Sequence, residues 1–428
     1  MKTYNYSDLD KDSIAKLVQR NVDPANEIRT IVEEVLANVQ QHGDRALYDY
    51  ANKFDKVVLD KLYLDKAELE EIATAITPEQ KIALDTAYAN IYKFHQSQIK
   101  AEDKVHTMPG VTCWRELRPI EKVGLYIPGG TAVLPSTFLM LGIPARIAGC
   151  HEIVVCSPPQ KNGKVNAFIA YVALILGIDK IYTVGGAQAV AAMAYGTESI
   201  SKVDKIFGPG NQFVTKAKTI IQSTTTTAID MPAGPSEVLV IADETSRPEF
   251  IAADLLAQAE HGIDSQSILV TTSAHIAEEA LAEVEKQTEV LPRAEIVRQA
   301  LANSYVVITK SIFEAMEFSN AYAPEHLILA VKDWEHIAPE IINAGSVFLG
   351  NLTPESAGDY ASGTNHTLPT SSYSRAYSGV SVDSFVKKVT FQFITREGIK
   401  NIGPHVEILA ELEGLHAHKN AVSVRLKG

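Results

Sequence analysis

Cysteine is scarce in this chain of 428 residues: there are three, Cys113, Cys150 and Cys156. None belongs to a CxxC pair, and an odd number of thiols excludes a fully paired disulfide scaffold and fits a reducing compartment. Excess basic charge is lacking too. A formal net charge of −13 argues against nucleic acid or an anionic membrane as the main partner. The opening MKTYNYSDLDKDS has no basic stretch leading into an apolar run, so no secretory signal is expected. The longest apolar run, AFIAYVALILGI at 167–178, is too short to span a bilayer and is expected to be a buried helix. A cytoplasmic location is the resulting expectation. No GxxxxGK[ST] occurs, so P-loop phosphoryl transfer has no support.

What is present describes a globular protein: 46% of residues are apolar, and the length allows two or three domains with their own cores. Residues 1–100 have mainly helical patterning. IRTIVEEVLANVQQHG has apolar spacing of three and four and ends at Gly43, and Thr77 with Pro78 form a helix start before PEQKIALDTAYANIYKFHQSQIK. From about residue 111, strands such as KVGLYIPGG, EIVVCSPP, KIYTVGG and VDKIFGPG alternate with helices. A second series, EVLVIAD, SQSILVTT, YVVIT, HLILAV and SVFLG, follows a break near MPAGPSE at 231–237. This rhythm predicts two α/β units around parallel sheets. The tail ends in NAVSVRL, which has the pattern of a strand.

Open parallel sheets bind ligands at the carboxyl ends of their strands. Three glycine turns, IPGG (127–130), VGGAQA (184–189) and FGPGN (207–211), are expected at such ends. The last approaches the dinucleotide fingerprint, with Gly208 and Gly210 in its first two glycine positions and Asp230 about twenty residues on. Phe213 fills the third glycine position, so an atypical dinucleotide site built from several turns is the better reading. Gln188 and Asn211 could hydrogen-bond a nucleotide and Tyr126 could lie against a ring; the glycines could also simply turn the chain.

LLAQAEHG (255–262) places Gln258 and His261 three apart on a helix, hence on one face, with Asp254 one turn earlier. Oxygen and nitrogen donors without cysteine suit a borderline metal such as zinc. Glu325 and His326, in YAPEHLIL, stand at the start of a strand, where a base and a water-activating carboxylate could share a cleft. NLTPESAGDYASGTNHTLPT (351–370) is a long polar segment, read as a loop, that carries Asp359 and His366. ELEGLHAHKNA brings Glu413, His416 and His418 near the C-terminus. Each also has a plain reading, as a polar helix edge, a satisfied core histidine or a solvent-facing carboxylate.

Taken in order, GLYIPGG, VGGAQA, KIFGPGN, DMPAGPSEVLVIAD, AQAEHG, YAPEHL, GTNHTLPT and GLHAHKNAV resemble the L-histidinol dehydrogenase family from about residue 110 to the end. TAVLPST and SYSRAYSGVSVDS (372–384) depart from the matched blocks. The resemblance implies NAD-dependent oxidation of L-histidinol to L-histidine through bound histidinal, with one zinc ion per subunit, in the last steps of histidine biosynthesis. It implies Gln258, His261, Asp359 and His418 as zinc ligands and Glu325 and His326 as the catalytic pair. Ser236, His366 and Glu413 would bind substrate together with the metal ligands and His326. Tyr126, Gln188 and Asn211 would bind NAD. It further implies a homodimer whose C-terminal segment, with Glu413 and His418, completes the neighbour's site.

The expected fold is α/β, with two Rossmann-like parallel-sheet domains, a small N-terminal helical arm and a small C-terminal domain. The arm spans 1–22, the first α/β domain 23–125 with 237–378, the dinucleotide-binding domain 126–236 and the C-terminal domain 379–428. Two alternatives stand beside this reading. One is an aldehyde dehydrogenase using Cys113 or Cys150 as nucleophile; the other is a catalytically silent metal-binding protein.

Overall fold

The computed structural model describes residues 1–20, 26–129, 133–232 and 234–428. The expected boundary at 22/23, Gly130 of the first glycine turn and Ala233 of MPAGPSE lie outside these residues. Two six-stranded sheets and one three-stranded sheet carry the described fold. In the first, all strands are parallel, in the spatial order Lys2–Asn5, Tyr305–Ile308, Gln266–Thr271, Glu237–Ala242, His326–Ala330, Ser346–Leu349. The second runs Tyr63–Asp65, Lys180–Tyr182, Glu152–Cys156, Lys122–Tyr126, Lys205–Phe207, Ala228–Ile229, antiparallel only at Tyr63–Asp65. Five strands of each sheet therefore follow the same winding. The chain starts in the middle, steps outward twice to one side, and then returns to the other.

Local chemistry explains the elements. All six residues of Glu237–Ala242 are buried, as expected of a central parallel strand covered on both faces. Helix Pro78–Gln96 starts where Thr77 accepts a hydrogen bond from the Gln80 N–H and Gln80 answers to the Thr77 N–H, with Pro78 at the first turn. Among the described residues no helix is long and apolar enough to cross a membrane.

The α/β fold with parallel-sheet domains holds, but several boundaries move. The N-terminal arm is not purely helical: Lys2–Asn5 pairs along Tyr305–Ile308 and extends the first sheet. Residues 23–125 were expected to join 237–378, yet their described helices pack on the second sheet. Val32, Val35, Leu36 and Val39 share a core with Tyr126, Val190 and Val214. Leu69 and Ile91 lie in the core of Leu125 and Phe138. An apolar stripe shows that a helix face is buried, not which sheet buries it. The boundary at 125/126 also falls within the central strand Lys122–Tyr126.

The C-terminal segment is likewise not separate. Strand Val386–Ile394 pairs antiparallel with Val111–Pro119, which pairs with Val105–Met108. NAVSVRL is helical, within His416–Lys427, because Val422 and Leu426, four apart, pack together over Gly403 of helix Arg396–Leu412. Residues 351–370 are not one loop: Glu355–Tyr360 is a helix. Phe385 is wholly buried and stacks on Phe207 with ring centroids 4.0 Å apart, fixing the tail to the second sheet. Phe385→Ala is expected to destabilise the protein by about 3–5 kcal/mol, read as a lower denaturant midpoint. An unchanged midpoint would show that the stack does not anchor the tail.

Candidate active site

A parallel strand followed by a helix returns the chain to the edge where the strand began. Helix Pro248–Ala259 does this after Glu237–Ala242, bringing Gln258 and His261 to the amino edge of the first sheet. The same edge holds Glu325 and the first residue of the neighbouring strand, His326. The Glu237 N–H donates to Glu325 Oε2 at 2.8 Å, and the Glu237 carbonyl lies 3.2 Å from His326 Nδ1. Glu325 and His326 thus meet in one place, with Oε2 and Nδ1 3.7 Å apart. Ala323, in the left-handed region at φ 55°, turns the chain into this position.

Helix Glu355–Tyr360 supplies the opposite wall. Glu355 Oε1 is 3.8 Å from His326 Nδ1, and Asp359 Oδ1 is 3.3 Å from His326 Nε2. Neither Asp359 Oδ1 nor His326 Nε2 has a hydrogen-bond partner, although both are buried. His261, Glu355 and Asp359 each offer a ligand atom, all within 4.8 Å of one another. Gln258 is fully buried, donates to Glu355 Oε1 at 2.5 Å and accepts from the Glu237 N–H at 3.1 Å. Unsatisfied buried polar atoms beside an oxygen and nitrogen donor set fit a bound metal ion.

The electrostatics follow from burial and crowding. Burial pushes Glu325 up to about 8 and Asp254 up to about 7. Burial opposes a charged His326, but Glu355, Glu325 and Asp359 outweigh it and hold the imidazole well above its ordinary value. His261 keeps an exposed surface, yet desolvation by the groups packed around its ring lowers it. Asp254 accepts from the Glu355 backbone N–H and so supports the short helix rather than joining the donors.

The expected cofactor residues gather elsewhere. Tyr126, Gln188 and Asn211 all line one cavity of about 710 Å³, together with Phe54, Asp55 and Pro158. It opens at the carboxyl ends of Lys122–Tyr126 and Lys205–Phe207, where the strand order of the second sheet reverses. Tyr126 Oη accepts from the Gly186 N–H at 3.2 Å, and Asn211 caps the next helix by accepting from Phe213 and Val214. A side chain at Gly208, φ 125°, would stand 2.1 Å from the Tyr126 carbonyl oxygen, so glycine is required for that close approach.

The other expected residues divide into two groups. His366 belongs with the cluster: Nδ1 is 2.9 Å from the Asp359 carbonyl and Nε2 is 2.9 Å from Thr137 Oγ1. Ser236 immediately precedes Glu237, and its carbonyl accepts from the Gln266 N–H. Glu413 and His418 are exposed where the two C-terminal helices meet and are not among the contacts of the cluster in this protomer.

Two participants were missed in the sequence. Glu355 is four residues before Asp359, a helical spacing hidden by reading 351–370 as a loop. Glu237 acts mainly through its backbone, which leaves no motif. Asp230, which stands at the fingerprint's acidic position, is buried against Lys218 and accepts from the Gly208 N–H at 2.8 Å. The cysteines are remote from this chemistry. Cys150 is buried, its thiol pushed up to about 11 by burial, with sulfur 3.8 Å from the Phe385 carbonyl. Cys113 lies on the three-stranded sheet opposite Gln392. A thiol held protonated by burial is a poor nucleophile.

A family model described as Histidinol dehydrogenase matches residues 18–426. Histidinol dehydrogenase of Bacteroides fragilis is 54% identical over 427 residues, 100% of this chain and 99% of the relative. The chloroplastic histidinol dehydrogenase of Arabidopsis thaliana is 52% identical over 429 residues, 100% and 92% respectively. The crystal structure of histidinol dehydrogenase from Elizabethkingia anophelis is 54% identical, with a TM-score of 0.96 over 100% of this chain and 98% of that one.

The buried Lys218–Asp230 pair gives a test of the site's framework. Lys218→Met leaves Asp230 without its cation and is expected to cost about 3–5 kcal/mol, lowering the thermal midpoint. An undiminished midpoint with weakened nucleotide binding would return Asp230 to a ligand role.

Proposed function

The chain belongs to the histidinol dehydrogenase family, and on that premise we propose that it oxidises L-histidinol to L-histidine in histidine biosynthesis, using NAD, with Glu325 and His326 as the catalytic pair. The observation that carries the assignment of the pair is the buried, unsatisfied His326 Nε2 facing Asp359 Oδ1 at 3.3 Å, with Glu325 alongside. A proton-accepting nitrogen and a carboxylate in one cleft meet the two demands of the reaction: removing hydroxyl protons and activating water.

In its neutral form, which the surrounding carboxylates make a strong base, His326 takes the hydroxyl proton as the carbinol hydrogen leaves with its electron pair for the nicotinamide, giving the aldehyde. Glu325 then draws a proton from water, whose oxygen adds to the aldehyde carbon while the proton on His326 passes to the former carbonyl oxygen, giving the hydrate and a neutral imidazole again. Burial makes this carboxylate a stronger base than an exposed one once it is ionised. His326 receives a hydroxyl proton of the hydrate as the second hydride leaves for a second NAD, giving the carboxylic acid, which then ionises. Ser236 and His366 would hold the substrate near the cluster, and Tyr126, Gln188 and Asn211 would hold the dinucleotide in the cavity.

Gln258, His261 and Asp359 would hold zinc, with His418 brought by a second copy of the chain. When bound, the ion would serve mainly to orient the substrate. Exposure of Glu413 and His418, beside exposed Leu409, Leu412 and Leu415, supports a homodimer in which this segment serves the neighbour. Three free cysteines support a cytoplasmic location.

Purified protein with L-histidinol and NAD is expected to form two reduced cofactors per substrate. No reduced-cofactor absorbance after zinc addition would overturn the activity. Glu325→Gln should pass the alcohol to the aldehyde better than the aldehyde to the acid, by about tenfold or more; equal loss of both half-reactions would remove its role as water activator. Asp359→Asn should lower the zinc bound per subunit in metal analysis, and full occupancy would exclude Asp359 from the ligand set.

A further inference from the structure

Arg20 ends the N-terminal arm yet reaches the amino edge where the catalytic pair stands. Its Nε donates to Glu237 Oε1 at 2.8 Å and its Nη2 to Glu237 Oε2 at 3.1 Å, a bidentate pair in which both side chains are buried. The guanidinium also lies 3.6 Å from the centroid of the Tyr322 ring and donates to the Ala323 carbonyl at 3.3 Å. Ala323 has the left-handed backbone two residues before Glu325, and Ser374 Oγ donates to the same carbonyl at 2.9 Å. One cation therefore grips both supports of the pair: the strained turn ahead of Glu325 and the residue whose peptide groups hold Glu325 and His326.

We infer that Arg20 is a positioning residue for the reaction, acting through Glu237 and Ala323 to fix Glu325 and His326 in register. The inference rests on the reading of Glu325 and His326 as the catalytic pair. A planar fork is suited to the task, since it restrains Glu237 through two bonds at once while Nη2 also reaches the Ala323 carbonyl and Nη1 the Val18 carbonyl, which a lysine point charge cannot reproduce. The ammonium or guanidinium never touches the substrate in this scheme; its effect is geometric. The NAD cavity is built on the other sheet, so cofactor binding should be indifferent to Arg20.

The test compares Arg20→Met, Arg20→Lys, Glu325→Gln and the double variant Arg20→Met/Glu325→Gln in the zinc-loaded protein. Arg20→Met is expected to lower kcat by about tenfold to a hundredfold with KM for NAD unchanged, and Arg20→Lys to recover only part of the loss. In the double variant the two losses should combine to clearly less than their product, because both act on Glu325. If they multiply in full, or if Arg20→Met lowers the thermal midpoint and leaves kcat intact, Arg20 is merely structural and the inference fails. Should Arg20→Met not fold, Arg20→Lys with its own double variant carries the same comparison. Wild-type turnover in Glu325→Gln would overturn the catalytic pair and this inference together; impaired Glu325→Gln beside fully active Arg20 variants would overturn this inference alone.

Discussion

At the start of a central buried strand, the peptide groups of Glu237 do work usually left to the ladder of a sheet. Its N–H serves Glu325 Oε2 and the Gln258 amide oxygen, its carbonyl faces His326 Nδ1, and its side chain is held by Arg20 and by the Ser371 N–H. Each of these groups is buried, and a buried polar group left unsatisfied costs about 1–3 kcal/mol. Glu325, His326 and Gln258 therefore cannot move independently. The site's rigidity comes from a shared set of backbone bonds rather than from the reactive side chains themselves.

Local pattern revealed much of this protein and long-range placement little of it. The spacing of Gln258 and His261 marked a shared edge, although the helix ends at Ala259 and His261 stands in the turn beyond it, and the turns at Gly186 and Gly208 marked the cavity of the second sheet, because both depend on residues close in sequence. The edge used by the first sheet was legible only at Glu325 and His326, which the sequence set at a strand start. Rules for open parallel sheets direct attention to carboxyl ends, whereas His326 and Glu237 begin their strands. Glu355 escaped notice because six helical residues in a polar segment carry too short a period to register. The helices between 26 and 96 were assigned to the wrong sheet because their apolar faces fit either one in the abstract. Val422 and Leu426 illustrate the converse: a stretch as short as NAVSVRL fits a strand or a helix, and packing over Gly403 decides.

The shared winding of the two sheets lets opposite edges take opposite chemistry. At the carboxyl edge of the second sheet, the helices Gly186–Tyr195 and Gln212–Thr224 begin at the cavity, so the positive ends of their dipoles face it. That is the polarity a dinucleotide's phosphates require. At the amino edge of the first sheet the helix Pro248–Ala259 ends, presenting carbonyls and the negative end of its dipole beside Glu355 and Asp359. Cations are favoured there, whether an imidazolium at His326 or a metal ion.

His366 and Thr137 join these edges, beside the bond from Asn365 Nδ2 to the Met140 carbonyl. Thr137 lies in the first turn of helix Pro135–Ala148, which follows the central strand of the second sheet, and its hydroxyl is 2.9 Å from His366 Nε2. His366 in turn is tied through Nδ1 to the carbonyl of Asp359. With both ring nitrogens engaged and burial lowering its proton affinity, the imidazole is a neutral link between helix Pro135–Ala148 and the donor cluster. A neutral link suits this position. A second imidazolium beside His326 would compete for the carboxylates that stabilise the first, whereas an uncharged ring transmits position without spending the negative charge on which the cluster depends.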